Sequence, residues 1–344
     1  MKAAVLYGQR DMRIEERPVP HYNEREVLLR MLSVTICGSD VHYYTDGKIG
    51  TASIDQPIVM GHEFAAEVAA VGAQVHGLEV GQRVAVEPGI SCGECEQCRH
   101  GYPNLCPHVR FCASPPFDGA LQEYMAYPPH ALFPLPDGMS AAEGAVLEPL
   151  CIAIKALDFG KLRVGETAAV IGGGAVGLLI VQLLRAAGAT SIFLSEPVAY
   201  RREMAQRCGA TALLDPGDPV TDLLQRTDGR DVDVVYEAAT STTTQRQATE
   251  MARIGGRVVL VGIPNHDEVS LHTSVMRRKG LTLTMVRRAS HVYPRALALW
   301  ARGLVDLPLL ITHRLPLAET QRAFDLMADH ADGVIRAAIE FDRA

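Results

Sequence analysis

Residues able to hold a metal ion are concentrated in one short stretch of this chain. The segment "SCGECEQCRHGYPNLC", residues 91–106, contains Cys92, Cys95, Cys98 and Cys106, half of the eight cysteines among 344 residues. The spacing Cys-x2-Cys-x2-Cys-x7-Cys lets one loop wrap a tetrahedral ion, and four thiolates suit zinc. Gly93, Pro103 and Pro107 supply the tight turns. Four protein ligands leave no position open for a substrate, so such a site is structural. An iron–sulfur cluster also uses four cysteines, but no electron-transfer module surrounds these.

A second group is dispersed. "TICGSDVHYYTDGKIG" offers Cys37, Ser39, Asp40 and His42, "VMGHEFAAEVAAVG" offers His62 and Glu63, and "LEPLCIAIKAL" adds Glu148. Thiolate, imidazole and carboxylate all bind zinc. Each also has an ordinary structural use: a buried cysteine is a small hydrophobe, a histidine fills many hydrogen-bonding roles, and Asp40 can brace its own turn.

The third chemical feature is "AAVIGGGAVGLL", in which Gly172-x-Gly174-x-x-Gly177 follows an apolar strand and opens a helix, with Val176 inside the motif. Glycines there let the backbone approach a pyrophosphate, whose charge meets the helix N-terminus. The next strand, "SIFLSE", ends in Glu196, nineteen residues past Gly177, close to the interval of about 20 at which an acid binds the adenosine ribose. A carboxylate there repels a 2′-phosphate, which points to NAD rather than NADP. Arg201 and Arg202 follow closely enough to meet a phosphate.

The elements that must position these groups fall into two patterns. Up to about Pro136, short apolar runs alternate with glycine and proline, the signature of an irregular, strand-rich domain. "SAAEGAVLEPLCIAIKALDFG" then has helical spacing after a serine cap and joins two domains. From Arg163 to about Arg287 strands alternate with helices, including a helix over "TTTQRQATEMARIG" (242–255), which implies a doubly wound parallel sheet. The tail, ending in "GVIRAAIEFDRA", is expected to return to the first domain as a closing strand.

Composition excludes several classes. Apolar residues at 48% and charged residues at 21% describe an ordinary folded protein, and the length suits two domains. A formal net charge of -7 offers no basic field for nucleic acid. Residues Thr167–Leu184 carry no charge over eighteen positions, yet the triple glycine divides them into a strand and a helix, so no membrane span is expected. Charges at Arg10, Asp11 and Arg13 interrupt the N-terminus too early for a secretory signal, which implies the cytoplasm.

"CGSDVHYYTDGKIG", "GHEFAAEVAAVG", the four-cysteine lobe, "FCASPPFDGALQEY", "LEPL" and "IGGGAVG" occur together in this order. In them the chain resembles the zinc-dependent medium-chain dehydrogenases over nearly its whole length, and among these the polyol branch with sorbitol and xylitol dehydrogenases. The resemblance implies an α/β protein with a GroES-like strand-rich catalytic domain at 1–148 and a structural-zinc lobe at 91–107. A Rossmann doubly wound domain would span 149–286, and 287–344 would return to the catalytic domain. It implies two zinc ions per subunit: one on the four cysteines, and a catalytic one on Cys37 and His62 with either Glu63 or Glu148 completing the set. In the polyol branch Glu63 is the direct ligand and Glu148 can hold a water; in other branches the roles shift. Ser39 would take the substrate's proton and pass it through the cofactor ribose to His42. Gly172, Gly174, Val176, Gly177, Glu196 and Arg201 would bind NAD. Tyr43, Phe111 and Arg287 would line the substrate pocket, although Arg288 stands where the branch usually has an aromatic residue.

The implied activity is oxidation of a secondary hydroxyl of a sugar alcohol, such as xylitol, sorbitol or L-arabitol, to a ketose. A sugar acid held by Arg287 and Arg288, or L-threonine, is the alternative substrate, and a non-catalytic nucleotide-binding protein the alternative class. The implied assembly is a homotetramer, with a dimer as alternative.

Overall fold

The structure, a computed structural model, describes residues 1–239, 241–264 and 268–341. The chain divides into two compact units, Met1–Glu148 with Tyr293–Leu297 and Leu307–Ala344, and Pro149–Val292 with Ala298–Asp306. The first division lies inside the helix Ala141–Gly160, at Pro149. Proline lacks the N–H that an interior helical residue donates, so the helix is weakest there. The helix starts as the serine cap implies: Ser140 Oγ accepts from the Glu143 N–H at 3.3 Å, while Glu143 Oε2 accepts from the Ser140 N–H at 2.9 Å.

The second division falls at Val292/Tyr293, later than the 286/287 boundary read from the sequence. Two contacts account for this. Thr282–Met285 forms the outer strand of the second unit's sheet, which keeps the following residues with that unit. Tyr293 then belongs to the first unit, stacking on Phe133 at 4.6 Å and donating its hydroxyl to the Val86 carbonyl at 2.7 Å.

The first unit is built on a seven-stranded sheet ordered Leu132–Pro134, Arg83–Val86, Glu63–Val71, Val27–Thr35, Arg336–Glu340, Ile311–Pro316, with Tyr124–Tyr127 also pairing to Val27–Thr35. The strand Val27–Thr35 is half covered at its start and buried on both faces from Met31 onward. Its buried end therefore delivers Thr35 and Ile36 into the interior, with Cys37 partly covered just beyond them.

The second unit carries six parallel strands in the order Ala212–Leu213, Ser191–Ser195, Thr167–Ile171, Val232–Glu237, Ala252–Leu260, Thr282–Met285. In sequence order this is 3-2-1-4-5-6, the Rossmann arrangement, with its switch point between Thr167–Ile171 and Val232–Glu237. The uncharged run Thr167–Leu184 is divided as its glycines imply, into the strand Thr167–Ile171 and the helix Ala175–Ala186. Among the described residues no helix is long and apolar enough to cross a membrane. One expected helix is shorter than its sequence pattern: it ends at Met251, and "ARIG" joins the strand Ala252–Leu260. Parallel pairing of Ala252 with Val232 overrides the local helical preference there.

Asp233 ties the near ends of three of these strands. Its Oδ2 accepts the Thr167 N–H and hydroxyl, both at 2.9 Å, and its Oδ1 accepts from Arg230 at 2.8 Å and Arg253 at 2.6 Å. Burial alone would raise its pKa, but hydrogen bonds from Arg230, Thr167 and Arg253 outweigh that and hold it below the usual carboxylate range. A depressed folded-state pKa stabilises above the unfolded value and loses that contribution as pH falls through the folded one. Asp233→Asn should therefore cost about 2–4 kcal/mol at neutral pH. The gap to wild type in urea midpoint should narrow below about pH 4. A gap that stays constant with pH would separate the effect from the charge.

Candidate active site

The register of three strands builds the dispersed metal site. Thr35 lies directly opposite Glu63 on the antiparallel strand, and opposite Ala338 on the other side. Arg336, two residues before Ala338, is thereby brought to the same end of the sheet. The Thr35 hydroxyl donates to Glu63 Oε2, and Arg336 Nη1 donates to Glu63 Oε1 at 3.0 Å and to the Ile36 carbonyl at 2.7 Å. Glu63 is 0% exposed and Arg336 3%. A buried carboxylate of this kind is tolerable only when paired and hydrogen-bonded.

Cys37 and His62 flank these strand ends. Cys37 precedes the helix Gly38–Asp46 as its N-cap, and His62 immediately precedes the strand Glu63–Val71. Gly61 adopts φ 90, and a Cβ there would meet Val34 Cγ1 at 2.8 Å, so only glycine fits before His62. Ligand atoms of Cys37, His62 and Glu63 all lie within 4.8 Å of one another. Glu148 is outside that group, 7% exposed, on the helix Ala141–Gly160. Burial pushes its pKa up to about 8, with His62 opposing and Glu63 adding to the rise.

Asp40 is more than a turn brace. Its Oδ2 accepts the Cys37 N–H at 3.0 Å, and its Oδ1 lies 3.1 Å from His62 Nδ1 and accepts the Gly61 N–H at 3.4 Å. It is 1% exposed. One carboxylate thus holds the Cys37 backbone and the His62 ring and turns His62 Nε2 away from itself, the usual outer-shell arrangement for a ligating histidine. Ser39 Oγ lies 3.5 Å from that same Nε2, and the Phe111 ring packs on His62 at 5.4 Å. All three groups bonded to Asp40 are donors, so asparagine would turn an amide N–H toward one of them. Asp40→Asn should weaken zinc binding by about 10–100-fold, read by competition with a chromogenic chelator. An unchanged affinity would make Asp40 a packing residue only.

Two other residues of the dispersed site sit differently from their neighbours. Tyr43 is 5% exposed and belongs to the hydrophobic core of the first unit, so little of its ring is open to a substrate. His42 is half-buried, and its Nδ1 lies 3.1 Å from Asp46 Oδ2.

The four cysteines form the second metal group. Their sulfurs are 4.0 Å apart for Cys92 and Cys98, 3.4 Å for Cys95 and Cys98, 3.9 Å for Cys95 and Cys106, and 3.5 Å for Cys106 and Cys92. A zinc tetrahedron with bonds of about 2.3 Å has edges of about 3.8 Å, so the cage has the right size. The Cys95 N–H donates to the Cys92 sulfur at 3.4 Å and the Cys92 N–H to the Cys106 sulfur at 3.4 Å, contacts that favour the thiolates a metal needs. The remaining cysteines, Cys112, Cys151 and Cys208, are buried.

In the second unit Gly172, Gly174, Val176 and Gly177 lie at the junction of the strand Thr167–Ile171 and the helix Ala175–Ala186. A Cβ on Gly177 would come within 2.0 Å of the Gly172 carbonyl oxygen, so the turn requires glycine. Glu196 is 4% exposed; its Oε2 accepts the Gly173 N–H at 2.6 Å and its Oε1 the Val198 N–H at 2.9 Å. Arg202 donates to the carbonyls of Glu196 and Leu214 at 3.2 and 2.8 Å, while the Arg201 guanidinium lies 5.8 Å from the Tyr200 ring centroid. Arg287 is exposed, and Arg288 beside it adopts a left-handed φ of 52.

Sequence reasoning missed Thr35 and Arg336 and left Asp40 undecided. The available signal for Arg336 was an arginine inside the apolar run "GVIRAAIEF", a charge that burial would oblige to find a partner.

A paired donor set on a strand-rich unit, a four-thiol cage and a Rossmann sheet define a zinc-dependent dehydrogenase. Residues 23–137 match the alcohol dehydrogenase GroES-like domain, and residues 175–302 match the zinc-binding dehydrogenase family. The chain belongs to the zinc-dependent medium-chain alcohol dehydrogenases, in their polyol branch. It is 39% identical over 327 residues to the sorbitol dehydrogenase of Bacillus subtilis (strain 168), covering 94% of this chain and 93% of that one. A crystal structure of an alcohol dehydrogenase from E. coli CFT073, complexed with NADH, superposes with a TM-score of 0.92 at 26% identity, covering 99% of both chains. A zinc-binding dehydrogenase structure from Sinorhizobium meliloti 1021, bound to NADP, gives 0.90 at 31% identity, covering 98% of both.

Proposed function

We propose that this chain oxidises a secondary hydroxyl of a sugar alcohol, of the xylitol, sorbitol or L-arabitol type, to a ketose with NAD as hydride acceptor. The observation that carries the reading is the convergence of Cys37, His62 and Glu63 beside the Ser39 hydroxyl. These three hold the catalytic zinc, and Cys92, Cys95, Cys98 and Cys106 hold the structural one. When bound, zinc lowers the pKa of the substrate hydroxyl toward neutrality, and the nicotinamide takes up the hydride.

The chain's own groups do the rest. Asp40 keeps the His62 proton on Nδ1, and Arg336 with Thr35 fixes the Glu63 carboxylate. Ser39 accepts the proton released from the substrate hydroxyl, and His42, one turn further along the same helix, carries it toward solvent. Glu148, on the helix Ala141–Gly160, holds a water at the metal site. Phe111 supplies an apolar wall beside His62. Glu196 binds the adenosine ribose hydroxyls, Arg201 a cofactor phosphate, and the Gly172–Gly177 turn the pyrophosphate. NAD is preferred because Glu196 is anchored at both oxygens and Arg202 is already bonded to two carbonyls, so neither yields readily to a 2′-phosphate. The working form is a cytoplasmic homotetramer.

Activity is tested by following reduced nicotinamide with xylitol, sorbitol, L-arabitol, galactitol, sugar acids and threonine, with NAD and NADP, before and after chelation of zinc. Chelator-sensitive turnover of a neutral polyol, faster with NAD, is the expected result. Turnover confined to acids would move specificity to Arg287 and Arg288, and turnover of none would sink the reading.

A further inference from the structure

The helix Gly38–Asp46 ends against a local rule. Its last residue is an acid, Asp46, and no basic residue occupies its last turn. Negative charge at a helix C-terminus opposes the macrodipole. Asp46 also pairs with His42 four residues earlier on the same helix. Nothing in the helix itself calls for an aspartate here, and local rules are broken most often where a residue serves function.

The geometry shows what the aspartate does instead. His42 Nδ1 lies 3.1 Å from Asp46 Oδ2. The His42 side chain is 13% exposed and the Asp46 side chain 42%, so the pair runs from a largely covered ring to open water. A neutral imidazole carries one N–H, and an ionised carboxylate can only accept. The carboxylate therefore places the His42 proton on Nδ1 and leaves Nε2 as the acceptor.

We propose that Asp46 is a positioning residue for proton release: it fixes the Nδ1–H tautomer and the ring orientation of His42, so that Nε2 is always the nitrogen that receives the proton from the active site. A proton taken up at Nε2 leaves from that nitrogen to solvent water, the other proton stays on Nδ1 in its hydrogen bond to Asp46, and neutral His42 is restored. The proposal rests on the reading of His42 as the end of the proton path, and two measurements keep the failures apart.

The first is nitrogen NMR of the histidine rings in the zinc-loaded protein. Wild type should show His42 as the Nδ1–H tautomer, Asp46→Leu should mix the two tautomers, and Asp46→Asn, which still offers an acceptor, should largely restore one. A His42 ring protonated on Nε2 in wild type, or unchanged by Asp46→Leu, overturns the proposal whatever His42 does in turnover. The second is steady-state kinetics. Asp46→Leu should lower kcat about 3–10-fold with KM for polyol and NAD and the zinc content unchanged, and Asp46→Asn should recover most of the loss. Thermal stability should not fall, because the helix loses an unfavourable terminal charge. A kcat loss that tracks lost stability makes the pair structural and overturns the proposal. Full turnover in His42→Ala removes the proton path itself, and the catalytic half of the proposal falls with it even where the tautomer result holds.

Discussion

His62→Ala is expected to abolish polyol oxidation while leaving the protein folded. The imidazole joins Asp40 to the metal position through a side chain: Nδ1 is held by the carboxylate and Nε2 faces Ser39. Without it only Cys37 and Glu63 remain of the donor group, and Glu63 stays bonded to Arg336 and Thr35. Two protein ligands do not retain a catalytic zinc, which normally needs three. Loss of Lewis-acid assistance removes several kcal/mol of transition-state stabilisation, so kcat/KM should fall by about 10³-fold or more. The substitution opens a cavity in a buried site but breaks no strand pairing, so circular dichroism and the urea transition should change modestly. Elemental analysis should find one zinc fewer per chain. Activity within tenfold of wild type, with zinc content unchanged, would place the reaction elsewhere.

Cys92→Ser should act on stability. The lobe around it has almost no core of its own: neither Glu96–Arg99 nor Pro103–Leu105 contributes a buried residue, and of the four cysteines only Cys106 is buried. Its order therefore depends on the ion, and binding free energy of a structural zinc is folding free energy. Serine is a poor zinc ligand because its hydroxyl does not ionise as a thiol does. The variant should lose one zinc and become sensitive to proteolysis within 91–107. A loss of about 3 kcal/mol would lower Tm by about 6–12 °C. NAD affinity should be little changed, since the glycine turn and Glu196 belong to the other unit. A variant that keeps its full zinc content and its Tm would refute the cage as a metal site. The two substitutions should also differ in kind, one removing turnover and the other order.

Much of this site was legible in the sequence because its information is local. The four cysteines lie within fifteen consecutive positions, so spacing alone specifies a loop able to surround one ion. The glycine motif and Glu196 lie just past the ends of two successive strands, where the strand–helix rhythm carries the register with it. The shortened helix at Met251 marks the limit of such reading, because a parallel partner strand, invisible in a local window, claims the next residues.

The dispersed site shows what tertiary structure alone decided. Cys37, His62, Glu63 and Glu148 could all be named from the sequence as donors, yet nothing in their types says which carboxylate joins the first two. That depends on the pairing of Thr35 with Glu63, which brings Glu63 beside Cys37 and His62, while Glu148 stays on its helix outside the group. Arg336 reaches Glu63 from 273 residues away, through a strand register that no local pattern encodes. Asp40 reads as an ordinary turn residue until His62 is folded against it. The residue types determined which chemistry was available; strand register and burial determined which groups meet, because a charge in the interior is stable only where the fold supplies its partner.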